Sequence, residues 1–286
     1  MLMVTAQELL QTKYVRVTLG NKISEMLGAM RRARADSAAV FSGKSFVGMI
    51  EKRFLLNSRV DLKSAKVGNV VKRRSKSKVP FFVPHLAPDA DEKTMAKAFV
   101  SADARALPVI EGKKLLGIVH QKDLAKALSK YYNIPCDDIA TMTPIVTTED
   151  APISKAITLM VKYSIDHLPI VDENDKLSGM LSLTDLIQNQ LFWHTNRVNM
   201  PREASHQGGK KAGYGTVAEK RSKTKLPVKI FAKKPDLCVI APRRKVKEAI
   251  DCMAKSRINS IVLARFERPV GLLTIKDVLK DYWRNM

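Results

Sequence analysis

His167-Leu168-Pro169-Ile170-Val171-Asp172, followed by Gly179-Met180-Leu181-Ser182-Leu183-Thr184-Asp185-Leu186, decides the fold of this chain. The first run is a short apolar segment of strand length, and the polar stretch Asp172-Glu173-Asn174-Asp175 after it is turn chemistry. A glycine leads the second apolar run. Ser182-x-x-Asp185 then opens a helical pattern, as an N-terminal capping box does. Upstream, Ile153, Ala156, Ile157 and Met160 recur at the i, i+3, i+4, i+7 spacing of one helix face. The unit is therefore helix, strand, turn, strand, helix.

The unit occurs four times. The helical faces are Ile23/Met26/Leu27/Met30, Met95/Ala98/Phe99/Ala102, Ile153/Ala156/Ile157/Met160 and Val246/Ala249/Ile250/Met253. The first strand-like runs are Ala38–Phe41, Leu107–Ile110, Leu168–Val171 and Ser260–Leu263. The glycine-led runs begin at Gly48, Gly117, Gly179 and Gly271. A hairpin between two helices buries too little apolar surface alone, so the units are expected to pair and share a core.

These motifs resemble the CBS (cystathionine-β-synthase) domain in four tandem copies. The third copy carries the signature, and Gly271-Leu272-Leu273-Thr274-Ile275-Lys276-Asp277-Val278 matches its ending in the fourth. The second copy keeps Asp123 but has His120 in place of Ser or Thr. The first is degenerate, with Glu51 and Phe54. The resemblance implies an α/β (α+β) fold of four CBS repeats paired into two Bateman modules: residues 1–141 with a basic insert at 59–80, and residues 142–286 with a basic insert at 197–234. It also implies an adenosine ligand, AMP, ADP or ATP, with no cofactor required. Ser182 or Thr274 would meet phosphate and Asp185 or Asp277 the ribose hydroxyls. Ile145 and Pro169 would lie against adenine, with His167 beside them. A helix start favours an anion through its unpaired N–H groups and dipole. Capping alone also accounts for each Ser/Thr-x-x-Asp.

Net charge is +22 over 286 residues. Residues 59–80 hold eight basic side chains against Asp61, a net +7, and residues 197–234 hold eleven against Glu203 and Glu219, a net +9. These two stretches carry +16 of the +22. Gly68-Asn69-Val70-Val71-Lys72-Arg73-Arg74-Ser75-Lys76-Ser77-Lys78-Val79-Pro80 aligns without gaps to Gly215-Thr216-Val217-Ala218-Glu219-Lys220-Arg221-Ser222-Lys223-Thr224-Lys225-Leu226-Pro227, with seven identities. The match suggests duplication of a whole half, insert included. Strands are expected to follow, over Val79–Val83 and Leu226–Phe231. Lysine alternating with hydroxyl residues suits phosphate contacts, and the glycine-rich run around Lys210, Lys211 and Tyr214 adds a base-stacking aromatic. The nucleic-acid-binding residues expected are Lys72, Arg73, Arg74, Ser75, Lys76, Lys78, Lys210, Lys211, Tyr214, Lys220, Arg221, Ser222, Lys223 and Lys225. No helix-turn-helix, zinc-finger, RRM or KH signature is present.

The functional expectation is a non-catalytic regulator that binds structured RNA, foremost rRNA in the ribosome, as a hibernation-type translation regulator responsive to adenine nucleotides. The alternative is an adenine-nucleotide sensor that regulates a protein partner, like the γ subunit of AMP-activated kinase. The five histidines, His85, His120, His167, His194 and His206, are scattered, with no nucleophile–base pair and no metal cluster, so no enzyme is expected. Cys136, Cys238 and Cys252 lack metal-ligand spacing and read as reduced thiols of a cytoplasmic protein. No apolar run reaches membrane-spanning length and no signal peptide is evident.

Overall fold

The computed structural model describes residues 4–55, 64–73, 84–163, 165–189, 197–200, 219–232, 239–256 and 258–285. The chain divides into two compact units, Met1–Pro144 with Asp236–Met286, and Ile145–Pro235.

All four repeats fold on the expected plan. Their first helices are Ile23–Ala33, Glu92–Ala102, Ile153–Tyr163 and Val246–Ser256. Each lays its periodic apolar face inward; Met26 and Met30, Met95 and Phe99, Ala156 and Met160, and Ile250 and Met253 are buried. The antiparallel hairpins that follow are Ser37–Ser42 with Ser45–Glu51, Ala106–Glu111 with Lys114–His120, His167–Val171 with Leu177–Ser182, and Ser260–Arg265 with Arg268–Thr274. A helix closes repeats two, three and four (Gln121–Leu128, Leu183–Gln188, Ile275–Asn285), and a 3₁₀ turn, Lys52–Leu55, closes repeat one. Short leading strands add in parallel: Arg16–Thr18 to repeat one, Thr147–Thr148 to repeat three and Val239–Ile240 to repeat four. In repeat two a single bridge, Leu86 to Val109, does the same.

The repeats pair by exchanging chain. Gln11, ahead of repeat one, bridges to Ile118 in repeat two, through N–H···O bonds of 2.8 and 3.0 Å. Thr141–Met142, ahead of repeat three, forms a strand on Gly271–Leu272 of repeat four. Lys72–Arg73, ahead of repeat two, pairs with Gly48–Met49 of repeat one. This explains the glycine at the head of the second and fourth runs. A Cβ at Gly117 would sit 2.7 Å from Leu10 Cδ1 and 2.8 Å from the Gln11 carbonyl oxygen. At Gly271 it would sit 3.0 Å from Met142 Sδ.

A second exchange covers the helix starts. Lys66 bridges to Lys22, Pro135 to Lys245 and Pro227 to Pro152, and 3₁₀ turns follow at Val67–Asn69, Cys136–Asp138 and Val228–Ile230. Two expectations change here. Leu226–Phe231 is not a strand. Pro227 lacks an N–H and enters the turn at φ −65°, while the N–H groups of Val228 and Lys229 donate to Ala151 and Glu149 carbonyls at 2.9 and 3.1 Å. The thirteen-residue match is also not a structural equivalence. Bridge for bridge, Lys66 corresponds to Pro227, so the matching stretch follows the crossing in the first half and precedes it in the second. Backbone pairing fixes the repeat register, and a lysine-serine composition does not. Val79–Val83 lies outside the described residues.

In the larger unit, repeats two and four meet through their helices: Glu92–Ala102 packs on Ile275–Asn285, and Gln121–Leu128 on both helices of repeat four. Their apolar faces (Met95, Phe99, Leu124, Val246, Ile250, Val278 and Leu279 among them) belong to one hydrophobic core. Glu92 is 1% exposed. It accepts hydrogen bonds from the Tyr282 hydroxyl (2.8 Å), the Tyr131 hydroxyl (3.1 Å) and the Val4 N–H (3.2 Å), and lies 3.5 Å from Lys130 Nζ. Tyr132 donates its hydroxyl to the Val278 carbonyl at 2.8 Å.

Cys252 is half-buried in the helix Val246–Ser256. Cys136 is a buried free thiol whose pKa burial pushes up to about 11, with Asp137 and Glu248 adding to the effect. Cys238 lies outside the described residues. Among the described residues no helix is long and apolar enough to cross a membrane.

Candidate ligand sites of the four repeats

Each hairpin ends where its last strand runs into the closing helix or turn, at residues 51, 120, 182 and 274. Opposite these, across the sheet, stand Ser37, Ala106, His167 and Ser260. The residue before each is polar: Asp36, Arg105, Asp166 and Asn259. Its carbonyl accepts the first N–H of the closing segment, from Lys52, Gln121, Leu183 and Ile275, at 2.8–3.0 Å. The backbone frame is thus the same four times, and the side chains make the difference.

In repeat three, Ser182 caps the helix Leu183–Gln188. Asp185 Oδ2 accepts from the Ser182 N–H (2.9 Å) and hydroxyl (2.5 Å), and Ser182 Oγ accepts from the Asp185 N–H (3.2 Å). His167 is half-buried directly opposite Ser182, and Pro169, two residues on, is buried opposite Met180. Ile145 is half-buried two residues ahead of the leading strand Thr147–Thr148. Repeat four repeats the box. Asp277 Oδ2 accepts from the Thr274 N–H (2.9 Å) and hydroxyl (2.7 Å), and Thr274 Oγ1 accepts from the Asp277 N–H (3.2 Å). Burial pushes the Asp277 carboxyl above its ordinary value, against the opposing pull of the Thr274 donors, Lys280 and Lys276. The Ser260 hydroxyl, opposite Thr274, is buried and has no hydrogen-bond partner among the described residues.

Repeats one and two use the same positions otherwise. Glu51 is 1% exposed and accepts from the Arg105 and Ala106 N–H groups at 2.7 and 3.4 Å, so a carboxylate of repeat one is bound by the strand start of repeat two. Asp36 is flanked by Lys52 Nζ at 3.2 Å and an Arg105 guanidinium nitrogen at 3.8 Å. Burial alone would raise the Asp36 carboxyl, but Arg105 and Lys52 hold it below its ordinary value. Asp123 accepts from the Gln11 side-chain amide at 2.6 Å. Burial holds His120 below the ordinary histidine value, with Asp123 and Asp36 pulling the other way.

A model of the CBS domain matches residues 82–130, 136–191 and 233–284, more than half of the sequence. The chain belongs to the CBS-domain family. Its first repeat lies outside the matched stretches and shows its kinship in apolar periodicity and backbone pairing. Among solved structures, protein MJ1225 of Methanocaldococcus jannaschii, described as a proposed archaeal homologue of g-AMPK, superimposes with a TM-score of 0.75 at 19% identity, over 98% of this chain and all of that one. An uncharacterised conserved protein of Pyrococcus horikoshii gives 0.62 at 20% identity, over 97% and 99%. Both share the four-repeat fold of this chain. Among curated proteins, a 17.7 kDa protein of Acidianus ambivalens is 31% identical over 110 residues, which is 38% of this chain and 67% of that protein. Inosine-5′-monophosphate dehydrogenase of Aquifex aeolicus is 27% identical over 107 residues, 37% of this chain but only 22% of the enzyme.

The structure brings His167, Pro169, Ser182 and Asp185 to one end of one sheet, with Thr274 and Asp277 at the matching end of another. Of the expected nucleic-acid residues, Lys72 and Arg73 are strand residues of repeat one, and Lys220, Arg221 and Ser222 form a hairpin strand, Glu219–Ser222, with Arg197–Met200. Lys223 and Lys225 lie in a 3₁₀ turn, with Lys225 exposed. Arg74, Ser75, Lys76, Lys78, Lys210, Lys211 and Tyr214 lie outside the described residues. Asp36, Arg105, Lys52, Gln11 and Ser260 were not anticipated. The legible signal for Asp36 and Arg105 was a polar residue just before the first strand in all four copies.

Proposed function

We propose that this chain is a non-catalytic regulatory protein that answers to an adenine nucleotide held at the Ser/Thr-x-x-Asp positions of repeats three and four. One observation carries the reading: Asp277 is a half-buried carboxylate at a helix start, with its pKa raised by burial even though two Thr274 donors already serve it. Such a group is short of donors, and a pair of ribose hydroxyls supplies two. The neighbouring helix start offers the field a phosphate needs. Ser260, buried and unpartnered among the described residues, gives the same cradle a further polar contact. The CBS family and the four-repeat fold support a sensing role. Calorimetric titration of the whole chain with AMP, ADP and ATP tests it. At least one should bind, and Asp277→Asn or Asp185→Asn should weaken binding about tenfold or more, the worth of one hydrogen bond to a charged group. No heat with any of the three, or affinities untouched by both substitutions, refutes the assignment.

A second reading rests on charge placement: +16 of the +22 falls within residues 59–80 and 197–234. Basic segments of that kind suit the phosphates of structured RNA, the ribosome foremost, where a nucleotide-responsive factor would silence translation. Its mark is affinity for RNA that falls steeply with salt as counterions are released. Salt-independent sedimentation with ribosomal subunits would count against it.

A further inference from the structure

The hairpin tip of repeat four is built against its own stability. The two residues between Arg265 and Arg268 are Phe266 at φ 49° and Glu267 at φ 65°, both in the left-handed region that side-chain-bearing residues avoid. Repeats one and two put glycine at the first position of their two-residue tips, Gly43 at φ 59° and Gly112 at φ 57°, and the lysine that follows stays out of the left-handed region. Phe266 is 95% exposed, so no packing offsets its backbone conformation. Arg265 and Arg268 are directly paired across the strands, a like-charge arrangement that disfavours the hairpin. The equivalent pair in repeat two is Glu111 with Lys114, of opposite charge, and in repeat one Ser42 with Ser45. Both arginines are exposed, and neither has an ion-pair partner among the described residues.

Three unfavourable choices meet in four residues, and one kind of ligand reverses two of them. An anion between the guanidinium groups cancels their repulsion, and a flat apolar partner covers the ring. A nucleotide of an unpaired strand brings both, a phosphate and a base, a few ångströms apart. We infer that the Arg265–Arg268 tip is a single-stranded nucleic-acid contact, with Phe266 stacking on one base and the two arginines meeting its flanking phosphate. An acidic protein groove is the competing partner; the +22 charge of the whole chain favours the polyanion. The inference rests on the second reading above and adds a base contact to it.

Fluorescence anisotropy with the full chain and a short labelled oligouridylate, beside an RNA duplex of equal length, tests it. Phe266→Ala should weaken single-strand binding about tenfold, within the range for losing one stacked base, and leave duplex binding unchanged. Phe266→Trp should restore it. Arg265→Ser with Arg268→Ser should lower the salt dependence of binding instead. Phe266→Ala should melt no lower than the wild type, since the ring packs on nothing, so loss of the fold cannot imitate the result. Equal single-strand affinity of wild type and Phe266→Ala overturns the inference while leaving the charge reading standing. No binding of either RNA in dilute salt overturns both. Loss of a protein partner on Phe266→Ala, with RNA binding intact, assigns the tip to protein instead.

Discussion

Removing the carboxylate of Glu92 should loosen the junction between repeats two and four. Glu92→Ala strips the hydrogen-bond acceptor from two tyrosine hydroxyls, at 2.8 and 3.1 Å, and from the Val4 N–H at 3.2 Å. Bonds to a charged acceptor contribute about 1.5–3 kcal/mol each, and a buried donor left unpaired costs about 1–3 kcal/mol. The terms do not simply add, because the carboxylate itself was costly to bury; breaking such a buried charged cluster costs about 3–5 kcal/mol. Lys130 adds little to this, since its side chain is 40% exposed and rehydrates when released. Glu92 also opens the helix Glu92–Ala102, where its charge faces the helix dipole for about 0.5 kcal/mol more. At about 2–4 °C per kcal/mol for a unit of this size, the melting temperature should fall by about 6–20 °C. Glu92→Gln keeps an acceptor for one hydroxyl and should cost about half as much. Circular dichroism melts and urea titrations of the three proteins measure both. If Glu92→Ala lies within about 1 kcal/mol of wild type, the carboxylate is not what joins the repeats, and the apolar faces alone suffice.

Three further outcomes follow from particular contacts. Burial favours neutral His120 in the folded state, so its contribution to stability is complete above the ordinary histidine pKa near 6.5 and is lost as pH falls from there toward the lowered folded value. Denaturation midpoints of wild type and His120→Gln should therefore converge or cross between neutral pH and about pH 5; parallel curves would show that His120 is not buried neutral. Gly117→Ala drives a Cβ to 2.8 Å from a backbone oxygen and should cost about 2–3 kcal/mol. Gly271→Ala meets a movable methionine sulfur at 3.0 Å and should cost about 1 kcal/mol less; equal losses in urea titration would mean that the Gln11 crossing yields as easily as a side chain.

Local periodicity made the repeats legible. Helix faces such as Ile153/Ala156/Met160 and strands such as His167–Val171 appear as read, because a half-buried element must keep one face apolar whatever its neighbours do. What the periodicity did not contain was the exchange of chain between repeats. Gln11, Thr141–Met142 and Lys72–Arg73 are two-residue pairings or single bridges, too short to carry a period. The glycines that receive them were visible, but their purpose was not. The same shortness misled the comparison of the two basic stretches. Seven identities outweighed the two backbone bridges, at Lys66 and Pro227, that set the true register. Likewise, the helix-start motif was read as either a ligand site or a cap, and the structure shows the cap fully formed at Ser182 and Thr274. The two readings are compatible, since both require the same oxygen at the same helix end.

That compatibility separates the repeats energetically. In repeats three and four the N–H and hydroxyl of Ser182 and of Thr274 donate to the aspartate of the same box, three residues away, and an N-terminal cap contributes about 1 kcal/mol. A ligand that brings its own donors to Asp277 can share or displace those bonds at small cost. In repeat one the corresponding residue is Glu51, whose carboxylate is buried against the N–H groups of Arg105 and Ala106 in the next repeat. Displacing it means stranding a buried charge or opening the hairpin pair, a cost of several kcal/mol before the ligand has made one contact. Repeat two sits between these limits: Asp123 is engaged by Gln11 from the exchanged segment, so a ligand there competes with the pairing of repeats one and two itself. The first pair is therefore held together through positions at which repeats three and four form caps of their own, and the ligand response proposed above is expected of repeats three and four.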